Sequence, residues 1–148
     1  FRDGCACSQA ILVVYGTPLG LSQEQALRVA AGFAGGMRLG ETCGAVTGAL
    51  MVLGLRHCST DCDTSGGRAD VYARVVDFTE RFKKRNGSIS CRELLGCDIS
   101  TSEGMKQAQE QNLFKTTCVQ MVRDAAEILE EMGSQQKPTE GDNHYANK

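Results

Sequence analysis

T-C-G-A-V-T-G-A-L-M-V-L-G-L-R, residues 42–56, is the stretch on which the fold turns. Its apolar run, 43–55, is far shorter than the roughly 20 residues that cross a bilayer, so it reads as a buried core helix. Gly44, Ala45, Gly48 and Ala49 give that helix a face of small side chains. Each glycine inside a helix costs about 1 kcal/mol against alanine. Accepting the cost twice implies that another backbone comes close there, and a second copy of the chain is one candidate.

Outward from this helix, nearly every segment carries a helical period. Residues 7–15 are short and apolar, closed by Gly16 and Pro18. Ser22 and Gln25 have the spacing of a capping box, in which hydroxyl and amide each satisfy an orphan backbone donor. The helix they open puts Ala26, Ala30, Phe33, Ala34 and Met37 on one stripe, until glycines 32, 35, 36 and 40 break it into a loop. A long amphipathic helix over 66–87 buries Val71, Val75, Phe78 and Phe82. Ser90 and Glu93 form a second capping-box pattern before a short helical turn. Residues 102–112 are polar and helix-prone. A last helix over 117–132 turns Cys118, Met121, Val122, Ala125, Leu129 and Met132 to one side. No strand or repeat emerges. The expectation is an all-α, single-domain bundle of five to six helices over 1–133, with a disordered polar tail at 134–148.

The chain's 148 residues suffice for one core, and its 41% hydrophobic and 23% charged residues are those of a globular protein. A net charge of -2 supplies no field for nucleic acid or an anionic membrane. The basic run Arg81, Lys83, Lys84 and Arg85 falls at a helix end, where cations complement the macrodipole. The chain starts at Phe1, so a leader can have been trimmed.

Eight cysteines, at 5, 7, 43, 58, 62, 91, 97 and 118, are the outlying feature. A chain that can fold without disulfides and still carries them suits a reducing cytoplasm. None has Cys-x-x-Cys spacing, which removes zinc-ribbon, thioredoxin-like and c-type haem motifs. Cys43, Cys91 and Cys118 each follow a hydroxyl residue, Thr42, Ser90 or Thr117. If those residues cap helices, each thiol occupies a first helical position. The macrodipole there draws a thiol from about 8.5 into a range of roughly 3.5–7.5. His57, Cys58 and Cys62 form a separate small cluster that can bind metal, oxidise or simply lie in a polar loop. Gly32–Gly36 lacks the strand and lysine of a phosphate loop. No acid–base pair defines an enzyme.

Residues 4–12 (G-C-A-C-S-Q-A-I-L), the block 32–55, residues 90–96 (S-C-R-E-L-L-G) and Cys118 together resemble the C_GCAxxG_C_C family of redox-active proteins. By position, the family's cysteines fall on Cys7, Cys43, Cys91 and Cys118. Where the family label has Gly-Cys-Ala, this chain reads Cys43-Gly44-Ala45, which displaces the thiol by one residue. The family is similar to a domain of split-Soret cytochromes c, which implies an iron–sulfur centre on those four cysteines. Cys5, Cys58, Cys62 and Cys97 lie outside the label and, with His57, are secondary candidates for metal.

Four readings follow. An iron–sulfur electron-transfer protein uses the four thiolates as cluster ligands and needs a redox partner protein. A dithiol/disulfide protein pairs some of them reversibly. A structural zinc site uses the same four in a tetrahedron. An interaction module has incidental cysteines.

Overall fold

The computed structural model describes residues 4–58 and 65–134, with side chains from residue 68 onward in the second stretch. Among them are seven α-helices: α1 (Cys7–Gly16), α2 (Gln23–Ala30), α3 (Gly44–His57), α4 (Ser65–Asn86), α5 (Cys91–Leu95), α6 (Ser102–Glu110) and α7 (Thr117–Ser134). The all-α class is as expected, and the helices number seven rather than five or six. No described helix is long and apolar enough to cross a membrane. The proposed tail beyond Ser134, with His144, lies outside the described residues.

Helix α3 is the centre of the bundle and packs against α1, α4 and α7. Val46, Ala49, Val52 and Leu53 on α3 meet Ile11 and Leu12 of α1, Phe78 and Phe82 of α4, and Ala125, Ile128 and Leu129 of α7. The two phenylalanine rings stack at 6.2 Å between centroids. Burying each such side chain contributes roughly 1.5–3 kcal/mol, which outweighs the weak helix propensity of a glycine-bearing α3.

The small-residue face of α3 is used inside the chain. A Cβ at Gly44 would collide with Cys7 Sγ, and one at Gly48 would stand 2.8 Å from the Ser8 carbonyl oxygen and 3.0 Å from Ile11 Cβ. The first turn of α1 therefore lies against bare backbone. Its polar groups are satisfied sideways: Ser8 Oγ, fully buried, donates to the Ala30 carbonyl at 2.8 Å, and Gln9 Nε2 donates to that of Leu27 at 2.9 Å. Two hydrogen bonds thus fix α1 on the end of α2.

Two local expectations change. The Ser22–Gln25 capping box forms, with bonds of 3.1 and 3.0 Å, but α2 stops at Ala30, and Phe33 is exposed instead of continuing the stripe. The backbone is extended at Ala34 and left-handed from Gly35, so no helical face can extend to Met37. At α5, Ser90 is the N-cap by position without a side-chain bond, and Glu93 accepts from Ser88 Oγ rather than closing a box with Ser90. Along α4, Phe78 and Phe82 are buried as expected while Val71 and Val75 are half-buried. Three of the four cations at its end are paired: Arg81 with Asp77, Lys83 with Glu80, and Arg85 with Glu127 and Glu131 of α7.

A second, smaller core gathers Cys91, Leu95, Cys97, Ile99 and Ala108, with Phe114 and Cys118 against it. Gly104 lets α6 sit directly on the Asp98 backbone, where any Cβ would overlap the carbonyl. Thr101 Oγ1 caps α6 by accepting the Gly104 N–H at 3.0 Å.

Candidate thiol site

The two cores are joined by an isolated antiparallel bridge between Thr42 and Ser90. Cys43 N–H donates to the Ile89 carbonyl at 2.7 Å, and Cys91 N–H donates to that of Glu41 at 2.5 Å. These bonds set Cys43 and Cys91 side by side, one at the start of α3 and the other at the start of α5. Cys7 opens α1 and faces Gly44. Cys118, the second residue of α7, has its N–H fixed to the Leu113 carbonyl at 3.0 Å.

These four cysteines, brought in by four different helices, line one cavity of about 550 Å³. Cys5 lines it as well. Its deep side holds the buried Cys43, Cys91, Leu95, Ile99 and Met121, and its open side holds the exposed Ala31, Gly32 and Arg38. Cys97 does not line it but is buried in the second core, within electrostatic reach of Cys91 and Cys118. Of the remaining candidates, His57 and Cys58 end α3 away from the cavity, where burial and the Arg74 charge hold the imidazole below its ordinary pKa. Cys62 lies outside the described residues. All seven described cysteines are free thiols. Among the described residues, no three His, Cys, Asp or Glu side chains stand together as ligands of one metal ion.

The thiol electrostatics run opposite to the expectation from helix starts. Burial first, and the neighbouring thiol of Cys7 second, push Cys43 up to about 11, although the Ala45 and Val46 amides pull the other way. Burial followed by the surrounding thiols pushes Cys91 and Cys118 up to about 12. Cys43 is itself the N-cap of α3, and Thr117 is already helical, so only Cys91 occupies the first helical position behind a cap. Where thiols crowd together in an apolar wall, a helix end does not outweigh desolvation.

Sequence reasoning missed the segment that borders the open side. Gly35, Gly36, Met37 and Arg38 all have positive φ, at 61°, 63°, 54° and 66°. For the two non-glycine residues this costs roughly 1–2 kcal/mol each. Glu41 N–H closes the turn on the Gly36 carbonyl at 3.1 Å. Arg92 straps it from outside through the Leu39 carbonyl (2.7 Å), the Gly40 carbonyl (3.3 Å) and the Glu41 carboxylate (2.8 Å). The paired glycines were the available signal, since such backbone is theirs by default.

An all-helical fold that brings five of its cysteines to a single cavity defines a class of thiol-centred proteins. Within that class, the chain belongs to the family described as "Putative redox-active protein (C_GCAxxG_C_C)", whose model matches residues 5–132. No curated protein and no solved structure matches it.

Proposed function

We propose that this is an electron-transfer protein in which Cys7, Cys43, Cys91 and Cys118 hold an iron–sulfur centre. The observation that carries the reading is the arrival of four thiols from four helices at one cavity. Such a donor set matches the ligand demand of a [2Fe–2S] or [4Fe–4S] centre, which would supply one-electron transfer.

Two features favour this over the other thiol chemistries. Thiols with pKa values near 11–12 are protonated at neutral pH and are weak nucleophiles for disulfide exchange. A bound cation supplies the positive charge that deprotonates them, and binding then releases their protons. The thiols also surround a space of about 550 Å³, whereas one zinc ion requires four sulfurs to meet at a point with bonds of about 2.3 Å. The role of the polypeptide is to hold the thiols apart, exclude water through Leu95, Ile99 and Met121, and leave one side open to a redox partner. We place the protein in a reducing compartment, the cytoplasm, which suits a chain of eight cysteines.

The test is anaerobic purification followed by a visible spectrum and by iron, sulfide and zinc per chain. Iron and sulfide with broad visible absorption are expected, lost in Cys43→Ser and Cys91→Ser and kept in Cys58→Ser. Colourless protein with stoichiometric zinc would select the tetrahedral site. Metal-free protein whose thiol count rises on reduction would select the disulfide.

A further inference from the structure

The cavity has a second character besides thiol. Leu95, Ile99, Phe114 and Met121 give it an apolar wall, and among the described residues Arg38 is the single charged one that lines it. The backbone that brings Arg38 there is the left-handed turn, with φ 66° and ψ 4° at Arg38 itself. Strain held in place by a dedicated strap is a mark of a functional position. Arg92 provides that strap through its bonds and its pairing with Glu41, and it also pairs with Asp98 at 3.8 Å. Arg38, by contrast, has no hydrogen-bond or ion-pair partner among the described residues.

We propose that the cavity binds a small organic carboxylate with an apolar body, its carboxylate paired with Arg38 and its body against Leu95, Ile99, Phe114 and Met121. A volume of about 550 Å³ falls in the range of small-molecule pockets, which are mostly apolar with few placed polar groups. A guanidinium at the open side suits a carboxylate, which it can grip with two parallel bonds. The other end of the ligand then reaches toward the thiols. This reading goes beyond the metal assignment and requires only the cavity and Arg38.

The experiment titrates the full chain with 3-phenylpropanoate and, separately, with its neutral amide, following backbone amide resonances. Arg38→Gly is the informative variant, because glycine relieves the left-handed backbone while deleting the cation. Acid binding should shift residues 31–38, 95–99 and 114–121, and Arg38→Gly should weaken it at least about tenfold, the loss of one charge-assisted pair. The variant should melt no lower than the parent and keep its metal and thiol content. The amide should bind weakly and equally to both. Equal affinity for acid and amide, unchanged acid binding in Arg38→Gly, or no saturation by about 20 mM would each overturn the proposal. Metal and thiol content measured on the same samples tests the iron–sulfur reading separately. A chain without metal that still discriminates acid from amide would sink only the latter.

Discussion

At the scale of single residues, the thiols carry a pH signature with a definite sign. Cys43, Cys91 and Cys118 have folded-state pKa values near 11–12, above the ordinary value of 9.0 that they regain on unfolding. Between those limits the folded state binds more protons than the unfolded one, so stability falls as pH rises. The contribution is fully present below about pH 9 and is lost toward pH 12. Melting temperatures of reduced, metal-free protein should therefore drop above pH 9 more steeply in the parent than in Cys91→Ser, which removes one buried thiol that burial and its neighbours push up. Parallel curves would mean that Cys91 does not titrate at a raised pKa in the folded state. The positions of these cysteines were legible in the sequence through the family pattern, but the direction of their pKa was not. A hydroxyl residue before each cysteine is a local signal, whereas burial beside other thiols comes from segments tens of residues away.

At the scale of elements, the close approach of α1 to α3 holds Cys7 beside Cys43. Alanine gains little in helix propensity at Gly44, the first residue of α3, and about 1 kcal/mol at Gly48, inside it. It also drives a methyl into Cys7 Sγ at the first position and into the Ser8 backbone at the second. Overpacking of that kind costs roughly 1–3 kcal/mol, so the net change should be destabilising at both sites. Chemical denaturation can measure it, and a stabilised Gly48→Ala would contradict the backbone contact. Gly54 is the control: a Cβ there meets nothing within 4 Å, so Gly54→Ala should stabilise by up to about 1 kcal/mol. The spacing of Gly44 and Gly48 announced close packing, though not whether the partner was α1 or another chain. The left-handed turn at 35–38 was hidden for a different reason. Phe33, Ala34 and Met37 continue the period of α2, and nothing in that period reveals that the backbone reverses hand after Ala34.

At the scale of the whole molecule, the cavity lies on the seam between the main core and the smaller core of residues 91–118. Cys43 belongs to the first, Cys91 to the second, and Cys118 packs on the second from the start of α7. The smaller core meets the rest through the Thr42–Ser90 bridge, the Arg92 strap and the packing of α5 on α7, which makes it a unit that can open by itself. A centre held by thiols on both sides of the seam would close it. Ligand bound at about 100 times its dissociation constant stabilises the native state by about 2.7 kcal/mol, a rise of several degrees in melting temperature for a domain of this size. Hydrogen exchange locates the effect. Loading the thiols with iron and sulfide should slow exchange most in α5 and α6. Residues near the middle of α4, around Phe78 in the main core, should change little. A uniform slowing across α4 and α6 would mean that the chain already opens as one unit. No slowing in α5 despite bound iron would exclude Cys91 from the centre and leave the seam bridged by Cys118 alone.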